Sequence, residues 1–344
     1  MRLFQVLILF LLVMLPLAAV LADEVPVPPP VTAETINAAD LSTVPAEFLP
    51  PAAGDTTGSG TAPPPTAPDP AIAKLQILLD RAGASPGVID GYDGDNLRKA
   101  VMAFETMAGL TTDGKVGPDV VAKLQTTDPV IGGYTITPDD VSAIVPAIPT
   151  DYAEMAKLKF LGYTSVTEEL GERFHMDEKL LKALNPGAAW TAGEQVAVAA
   201  YGPDKEGNVA KLVADKSDRQ LRGYDADGKL LVAYPATIGS TDNPSPTGEH
   251  LVDAIAPMPN YTYNPDVNFQ QGDNTSKLII PPGPNGPVGA MWIDLTDPTF
   301  GIHGTPEPSQ IDKTNSHGCV RLTNWDATEL SKMVAKGVPV DFVD

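Results

Sequence analysis

Proline limits this chain more than any other residue. It fixes φ, lacks a backbone N–H and is barred from helix interiors and central strands. Of the 35 prolines, 12 fall between residues 23 and 70, among many Ala, Thr, Ser and Gly residues. The stretch Thr61-Ala62-Pro63-Pro64-Pro65-Thr66-Ala67-Pro68-Asp69-Pro70 is expected to form neither a helix nor a central strand. Residues 23–70 therefore read as a disordered, semi-extended linker ahead of folded units. With 344 residues in all, two or three such units are expected.

Ahead of the linker, Arg2 leads an apolar run from Leu3 to Leu15, and Val20-Leu21-Ala22 precede Asp23. This is the pattern of a signal peptide over residues 1–22, cut after Ala22, and its apolar run is short for a membrane span. No cysteine lies near the cut for a lipid anchor. The expectation is an exported protein with no membrane span after cleavage.

Charge and cysteine content exclude other classes. Lys+Arg total 23 against 44 Asp+Glu, a net charge of −21, which argues against a nucleic-acid partner. One cysteine, Cys319, permits neither an internal disulfide nor a thiolate metal cluster. The pattern calls for no metal and no cofactor.

Beyond the linker, residues 71–128 carry three helical stripes separated by Asp-Gly turns, with Leu75, Leu79, Leu97, Val101, Phe104 and Leu124 on the apolar faces. Leu75-Gln76, Gly87-Val88-Ile89-Asp90-Gly91, Ala100-Val101 with Phe104, and Asp113-Gly114 with Gly117-Pro118 resemble a type 1 peptidoglycan-binding domain. The resemblance implies a small three-helix bundle, tethered ahead of a working domain to raise local substrate concentration. Residues 129–200 follow with helices from Val166 to Phe174 and Glu178 to Leu184, Asn185-Pro186-Gly187, and a strand at Gln195-Val196-Ala197-Val198. They resemble a small α/β LysM-like module, although no opening strand is evident. His175, at a helix end, reads as a surface or capping residue.

From Val209 the pattern turns to short strands. One runs from Leu230 to Ile238, and a Pro/Gly-rich loop over 257–290 is of the kind that forms a groove. A last helix starts near Asp326. The lone thiol lies in Asn315-Ser316-His317-Gly318-Cys319-Val320-Arg321-Leu322, with Ile302-His303-Gly304-Thr305 upstream. A cysteine nucleophile needs a base and convergent N–H groups for an oxyanion. His303 and His317 are both candidate bases, Gly318 permits a tight turn, and Arg321 adds charge that lowers a thiol pKa or holds a carboxylate.

His303-Gly304-Thr305, Ser316-His317-Gly318-Cys319-Val320-Arg321-Leu322, Asn324, Asp326 and Pro246-Thr247-Gly248 together resemble the L,D-transpeptidase (YkuD) family over residues 209–344. Ser245 stands where Thr is common. The resemblance implies a mainly-β, β-sandwich-like catalytic domain acting on peptidoglycan stem peptides in the periplasm or cell envelope. It implies Cys319 as nucleophile, His303 as base with its second nitrogen held by the Gly304 carbonyl, and oxyanion donors at Gly318 and Cys319. His317, Gly304 and Ser316 join Gly318 in shaping the turn, and Arg321, Asn324 and Trp292 are candidate substrate contacts. Asn324 and Asp326 equally suit helix caps, and Trp292 equally suits a core.

Spacing favours His303 as the base. His317 is two residues from Cys319, so in extended chain it stands beside the sulfur roughly 6–7 Å away with poor aim. The acceptor stays open: a second stem peptide, a wall-attached protein, or water, which would make the chain a carboxypeptidase or amidase. A wall-binding protein without catalysis is the remaining alternative.

Overall fold

The computed structural model describes residues 30–45, 67–240, 243–267, 269–314, 316 and 318–344. The signal peptide expected at 1–22 lies outside them.

Part of the expected linker is folded, which corrects the reading of 23–70. The proline-free window 31–44 contains helix α1 (Ala33–Ala38), closed by a Thr32–Thr35 capping box, and a 3₁₀ turn at Leu41–Thr43. Ile36, Leu41 and Val44 are buried in the first core. Averaging composition over the whole stretch hid this amphipathic window. Pro70, too, opens a helix instead of barring one: it is the first residue of α2 (Pro70–Ala82), with Asp69 as N-cap.

Helices α2, α3 (Asp95–Ala108) and α4 (Pro118–Leu124) form the expected bundle. Its two halves repeat one device. Gln76 Oε1 accepts the N–H groups of Asp90 and Gly91, and Glu105 Oε2 accepts those of Asp113 and Gly114. Each buried acceptor thus satisfies the donors of an Asp-Gly turn.

The next unit opens with β1 (Ile131–Thr135), the strand missing from the sequence reading because Gly132 and Gly133 break its apolar alternation. Helices α5 (Pro138–Ser142), α6 (Tyr152–Met155), α7 (Val166–Arg173) and α8 (Glu178–Leu184) follow, and β2 (Gln195–Ala199) returns antiparallel to β1, pairing Ile131 with Ala199 and Thr135 with Gln195. Side chains from α1 to α4, from this unit and from Leu230 and Ala233 further on share one core.

The C-terminal part is built on β3 (Lys211–Asp215), β4 (Gln220–Tyr224), β5 (Leu230–Pro235), β6 (Thr237–Ile238), β7 (Gly248–Pro257), β8 (Tyr261–Tyr263), β9 (Leu278–Ile280), β10 (Met291–Leu295), β11 (Gly301–His303), β12 (Val320–Arg321), α9 (Asn324–Met333) and β13 (Pro339–Val343). Nine strands form one sheet in the order β5-β4-β3-β13-β7-β10-β11-β12-β6. The long β7 serves both halves, pairing with β13 through Gly248 to Leu251 and with β10 through Val252 to Pro257. Leu212, Val232, Ile293, Ile302 and Val320 from the two halves meet Leu330 and Met333 of α9 in a second core. This is a mainly-β, sandwich-like unit. The strand expected from Leu230 to Ile238 breaks at Ala236, whose N–H turns to Arg219 O. The loop expected over 257–290 holds the β8–β9 hairpin.

The helical bundle is not a free tether. Ser85 N–H donates to Ala233 O and Ala233 N–H to Gly83 O, both at 2.9 Å, so the chain after α2 covers the edge strand β5. Ile89 and Met176 form a second bridge between the first two units. His175 corrects the surface reading: its Nδ1 lies 2.8 Å from Asp80 Oδ2, and its ring is stacked between Tyr201 and Trp325.

Candidate active site

Strands β11 and β12 run parallel, with Ile302 opposite Val320 and His303 opposite Arg321. One step back, Cys319 stands opposite Gly301. Side chains alternate along a strand, so Ile302 and Val320 point into the core while His303, Cys319 and Arg321 share the other face. Cys319 and His303 are diagonal neighbours there, close enough for a long side chain to span. Gly301 supplies no side chain between them. On the far side β10 places Trp292 opposite His303, its ring stacked at 5.5 Å and 19°. The His303 ring is oriented by its Nδ1, 2.7 Å from the Gly304 carbonyl, which leaves Nε2 free. His317 and Asn315 lie outside the described residues.

The turn before Cys319 is held by two serines. Ser316 Oγ donates to Cys319 O at 2.7 Å and accepts Gly239 N–H at 2.7 Å. Ser245 Oγ donates to Gly318 O at 2.6 Å. In a planar trans peptide N–H and C=O point opposite ways, so anchoring the Gly318 carbonyl turns the Cys319 N–H away from Ser245. Sequence reasoning missed Ser245, noting only that it departs from Thr; its place beside Pro246-Thr247-Gly248 was the available signal. Gly318 has φ +103°, and a Cβ there would lie 2.4 Å from Phe300 Cε1, so both backbone and space demand glycine.

Cys319 keeps part of its surface open to solvent. Burial pushes its thiol up to about 11, partly offset by a hydrogen bond from the Gly301 backbone and by the charge of Arg321. Burial pushes His303 down to about 4, and Arg321 adds to this, against the Gly304 hydrogen bond. Arg321 lowers the thiol as expected, but burial outweighs it, and at neutral pH the resting pair is thiol and neutral imidazole. Arg321 has no hydrogen-bond or ion-pair partner among the described residues. Glu307, Cys319 and Tyr152 are its charged or ionisable neighbours, and burial lowers its own pKa. An unpaired, half-buried guanidinium on the Cys319 face is suited to a carboxylate.

Residues 210–341 match the YkuD L,D-transpeptidase catalytic domain, and residues 68–124 match a peptidoglycan binding domain. YkuD of Bacillus licheniformis, which bears an L,D-transpeptidase name, is 30% identical over 177 residues, covering 50% of this chain and 90% of the relative. Its Bacillus subtilis counterpart is 27% identical over 169 residues, covering 48% and 87%. The chain belongs to the YkuD L,D-transpeptidase family. Among solved structures, an L,D-transpeptidase from Mycobacterium smegmatis is 21% identical with a TM-score of 0.33, covering 45% of this chain and 65% of its own. The two matched domains point to peptidoglycan as substrate and to the cell envelope as location. Among the described residues no helix is long and apolar enough to cross a membrane.

Within this L,D-transpeptidase fold, the remaining candidates separate. Trp292 is half-buried beside His303 and lines a cavity of about 370 Å³ with Tyr261, Thr262, Val288 and Thr299, so it faces the groove. Thr299 O lies 3.7 Å from the Cys319 sulfur, which places that cavity next to the thiol. Asn324 does not reach this groove. It is 3% exposed, and its amide is engaged by Glu172, Pro284 and Ala290. The cap of α9 is Thr323, whose Oγ1 accepts Asp326 N–H, while the Asp326 carboxyl faces Ser85. The β8–β9 hairpin beside the groove is held by the second unit: Leu161 N–H donates to Pro282 O, Asn285 N–H donates to Leu161 O, and Tyr152 packs edge-on to Tyr261 and Tyr263.

Proposed function

We propose that this chain is an exported L,D-transpeptidase that works on peptidoglycan stem peptides through a thioester on Cys319. The observation that carries the reading is the placement of Cys319 and His303 on one face of adjacent parallel strands, with Gly301 making room for the Trp292 ring beside them. The Cys319 sulfur attacks the carbonyl of the L-centre in a tetrapeptide stem while its proton passes to His303 Nε2. The Cys319 and Gly318 N–H groups stabilise the oxyanion. The C–N bond to the terminal D-residue breaks, its nitrogen takes the proton from His303, and a thioester remains. An amine of a second stem, or of a protein, then attacks the thioester, gives its proton to His303 and releases the sulfur, which recovers a proton. Arg321 receives a stem carboxylate, and Trp292 forms a wall of the groove.

The segment 129–200 serves as a LysM-like module. Its support is the antiparallel β1–β2 pair enclosing α7 and α8, with β1 supplying the opening strand. Export rests on the apolar start of the chain and cleavage after Ala22. Incubating the purified protein with a soluble disaccharide-tetrapeptide and a diaminopimelate-type acceptor tests the reaction by mass spectrometry. The expected product is the amide of donor and acceptor, with loss of one D-residue and no product from Cys319→Ala. A free tripeptide as the only product shows that water is the acceptor.

A further inference from the structure

Glu172 lies in the last turn of α7, outside the catalytic unit, and is 7% exposed. No step above uses it. Its two oxygens accept hydrogen bonds from Asn324 Nδ2 at 3.0 and 2.9 Å, and Pro284 O takes a third at 3.1 Å. With acceptors gathered on that side, the Asn324 amide has one way to face: Nδ2 towards Glu172 and Oδ1 away from it. Oδ1 there accepts Ala290 N–H at 2.8 Å. It also lies so close to Gly289 and Gly304 that a Cβ on either would come within 2.0 or 2.1 Å of it.

Those two glycines flank the support of His303. The Gly304 carbonyl is the partner of His303 Nδ1, and Gly304 N–H is tied to Met291 O at 3.1 Å, one residue after Ala290. The Asn324 amide is therefore wedged between the two backbone segments that hold the imidazole.

We infer that Glu172 is a positioning residue for His303, acting through Asn324: an acceptor carried by the N-terminal unit sets which way the amide faces, and so where the Gly304 carbonyl holds the ring. The inference rests on the reading of His303 as base. It makes the second unit part of the catalytic geometry. The carboxyl is poorly placed for fold stability. Burial lifts it to about 8, and among the described residues no cation pairs with it. The groups around it are Glu168 on its own helix, Tyr163 on the preceding loop, and Asp177, Glu178, Lys179 and Glu307 around a shared cavity of about 500 Å³. A carboxyl raised in the folded state binds a proton that the unfolded chain has released. Its stabilising share is present below about 4.5 and is lost as pH rises through about 8.

Glu172→Gln and Glu172→Ala separate positioning from packing. Glutamine replaces one of the two acceptors facing Asn324 Nδ2 with a donor, and alanine removes both acceptors. With a soluble tetrapeptide at pH 9, where the carboxyl is ionised and both its oxygens accept, kcat is expected to fall roughly 10-fold in Glu172→Gln and further in Glu172→Ala, with KM little changed. At pH 8.5, Glu172→Gln should melt at or above the wild-type temperature, so activity and stability move in opposite directions. A second readout needs no turnover: the downfield Nδ1–H proton resonance of ¹⁵N-labelled His303 is expected in the wild type and weakened or shifted in both variants. Wild-type kcat in folded Glu172→Gln overturns the inference, as does an unchanged His303 resonance in both variants. If Glu172→Ala fails to fold, Glu172→Gln decides alone. If the wild type turns over no tetrapeptide, the transpeptidase reading falls and the resonance still decides the positioning.

Discussion

The hydroxyl of Ser85 donates to the carboxyl of Asp326 at 3.2 Å, joining residues 241 positions apart, both almost fully buried. Ser85 follows α2 of the peptidoglycan-binding unit, and Asp326 lies in the first turn of α9, two residues after Asn324. Burial raises the Asp326 carboxyl well above its usual range, and the nearby Asp80 and Glu329 push the same way. The first turn of α9 thus receives both N-terminal units, Ser85 from one and Glu172 from the other.

Docking of this kind predicts that deleting residues 71–128 damages more than wall binding. Leu230 and Ala233 lose their core, the β5 edge is opened, and Asp326 loses its donor. Size-exclusion chromatography should show aggregation, and turnover of a soluble tetrapeptide should drop together with binding to sacculi. A monomeric truncated protein with full turnover would return the bundle to the role of a tether. Ser85→Ala alone should destabilise the protein by about 1–3 kcal/mol, the cost of a buried polar group left without its partner, read by calorimetry.

The thiol offers a pH test. Because burial holds Cys319 up to about 11, its alkylation by iodoacetamide should keep accelerating well past pH 8.5. Arg321→Gln removes a charge that favours the thiolate and should move the midpoint higher still. Mass spectrometry of the adduct against time measures both, and a plateau at or below pH 8.5 in the wild type contradicts the buried-thiol picture.

His303 shows the opposite limb. Held down to about 4, it stays neutral and able to accept a proton until well below its ordinary range, so kcat/KM should persist through pH 6 and fall with a midpoint near 4. For stability the sign follows from the unfolded chain, where histidine titrates near 6.5. Between about 6.5 and 4 the unfolded state binds a proton that the folded state does not, so stability drops as pH falls across that window. His303→Gln should flatten this part of the melting-temperature curve.

Ser245 should matter for rate more than for the thiol itself. Ser245→Ala frees the Gly318 carbonyl and loosens the Cys319 N–H, and kcat is expected to fall roughly 10-fold, less than the 10²–10³ seen when an oxyanion donor is removed outright. Alkylation of Cys319 should change little. Equal losses of alkylation and kcat would place Ser245 in holding the sulfur instead.

Much of the catalytic unit was legible because its signals are local. Gly318-Cys319 and His303-Gly304 carry their chemistry in adjacent residues, and the glycines mark positions where the backbone approaches Phe300 or Asn324 too closely for a side chain. The helical bundle was legible for the same reason: apolar spacing and Asp-Gly turns repeat within each half. Asn324 was misread because its motif position says nothing of its direction. Its amide points away from the groove towards Glu172, 152 positions earlier. The helix at Ala33–Ala38 was missed because prolines on both sides dominate the composition, although Ile36 is fully buried in the core.

Sequence alone carried the signatures of the YkuD and peptidoglycan-binding domains and the helices and Asp-Gly turns of the bundle, since residue type, capping and apolar period act over a few positions. Tertiary structure decided what those units do to one another. Register placed Cys319 opposite a residue without a side chain. Burial reversed the expected shift of its thiol, because desolvation outweighs the nearby arginine. Contacts between residues 152 and 241 positions apart turned a row of separate modules into one body built around α9. Such contacts depend on which surfaces meet after folding, and no local pattern of residues encodes that.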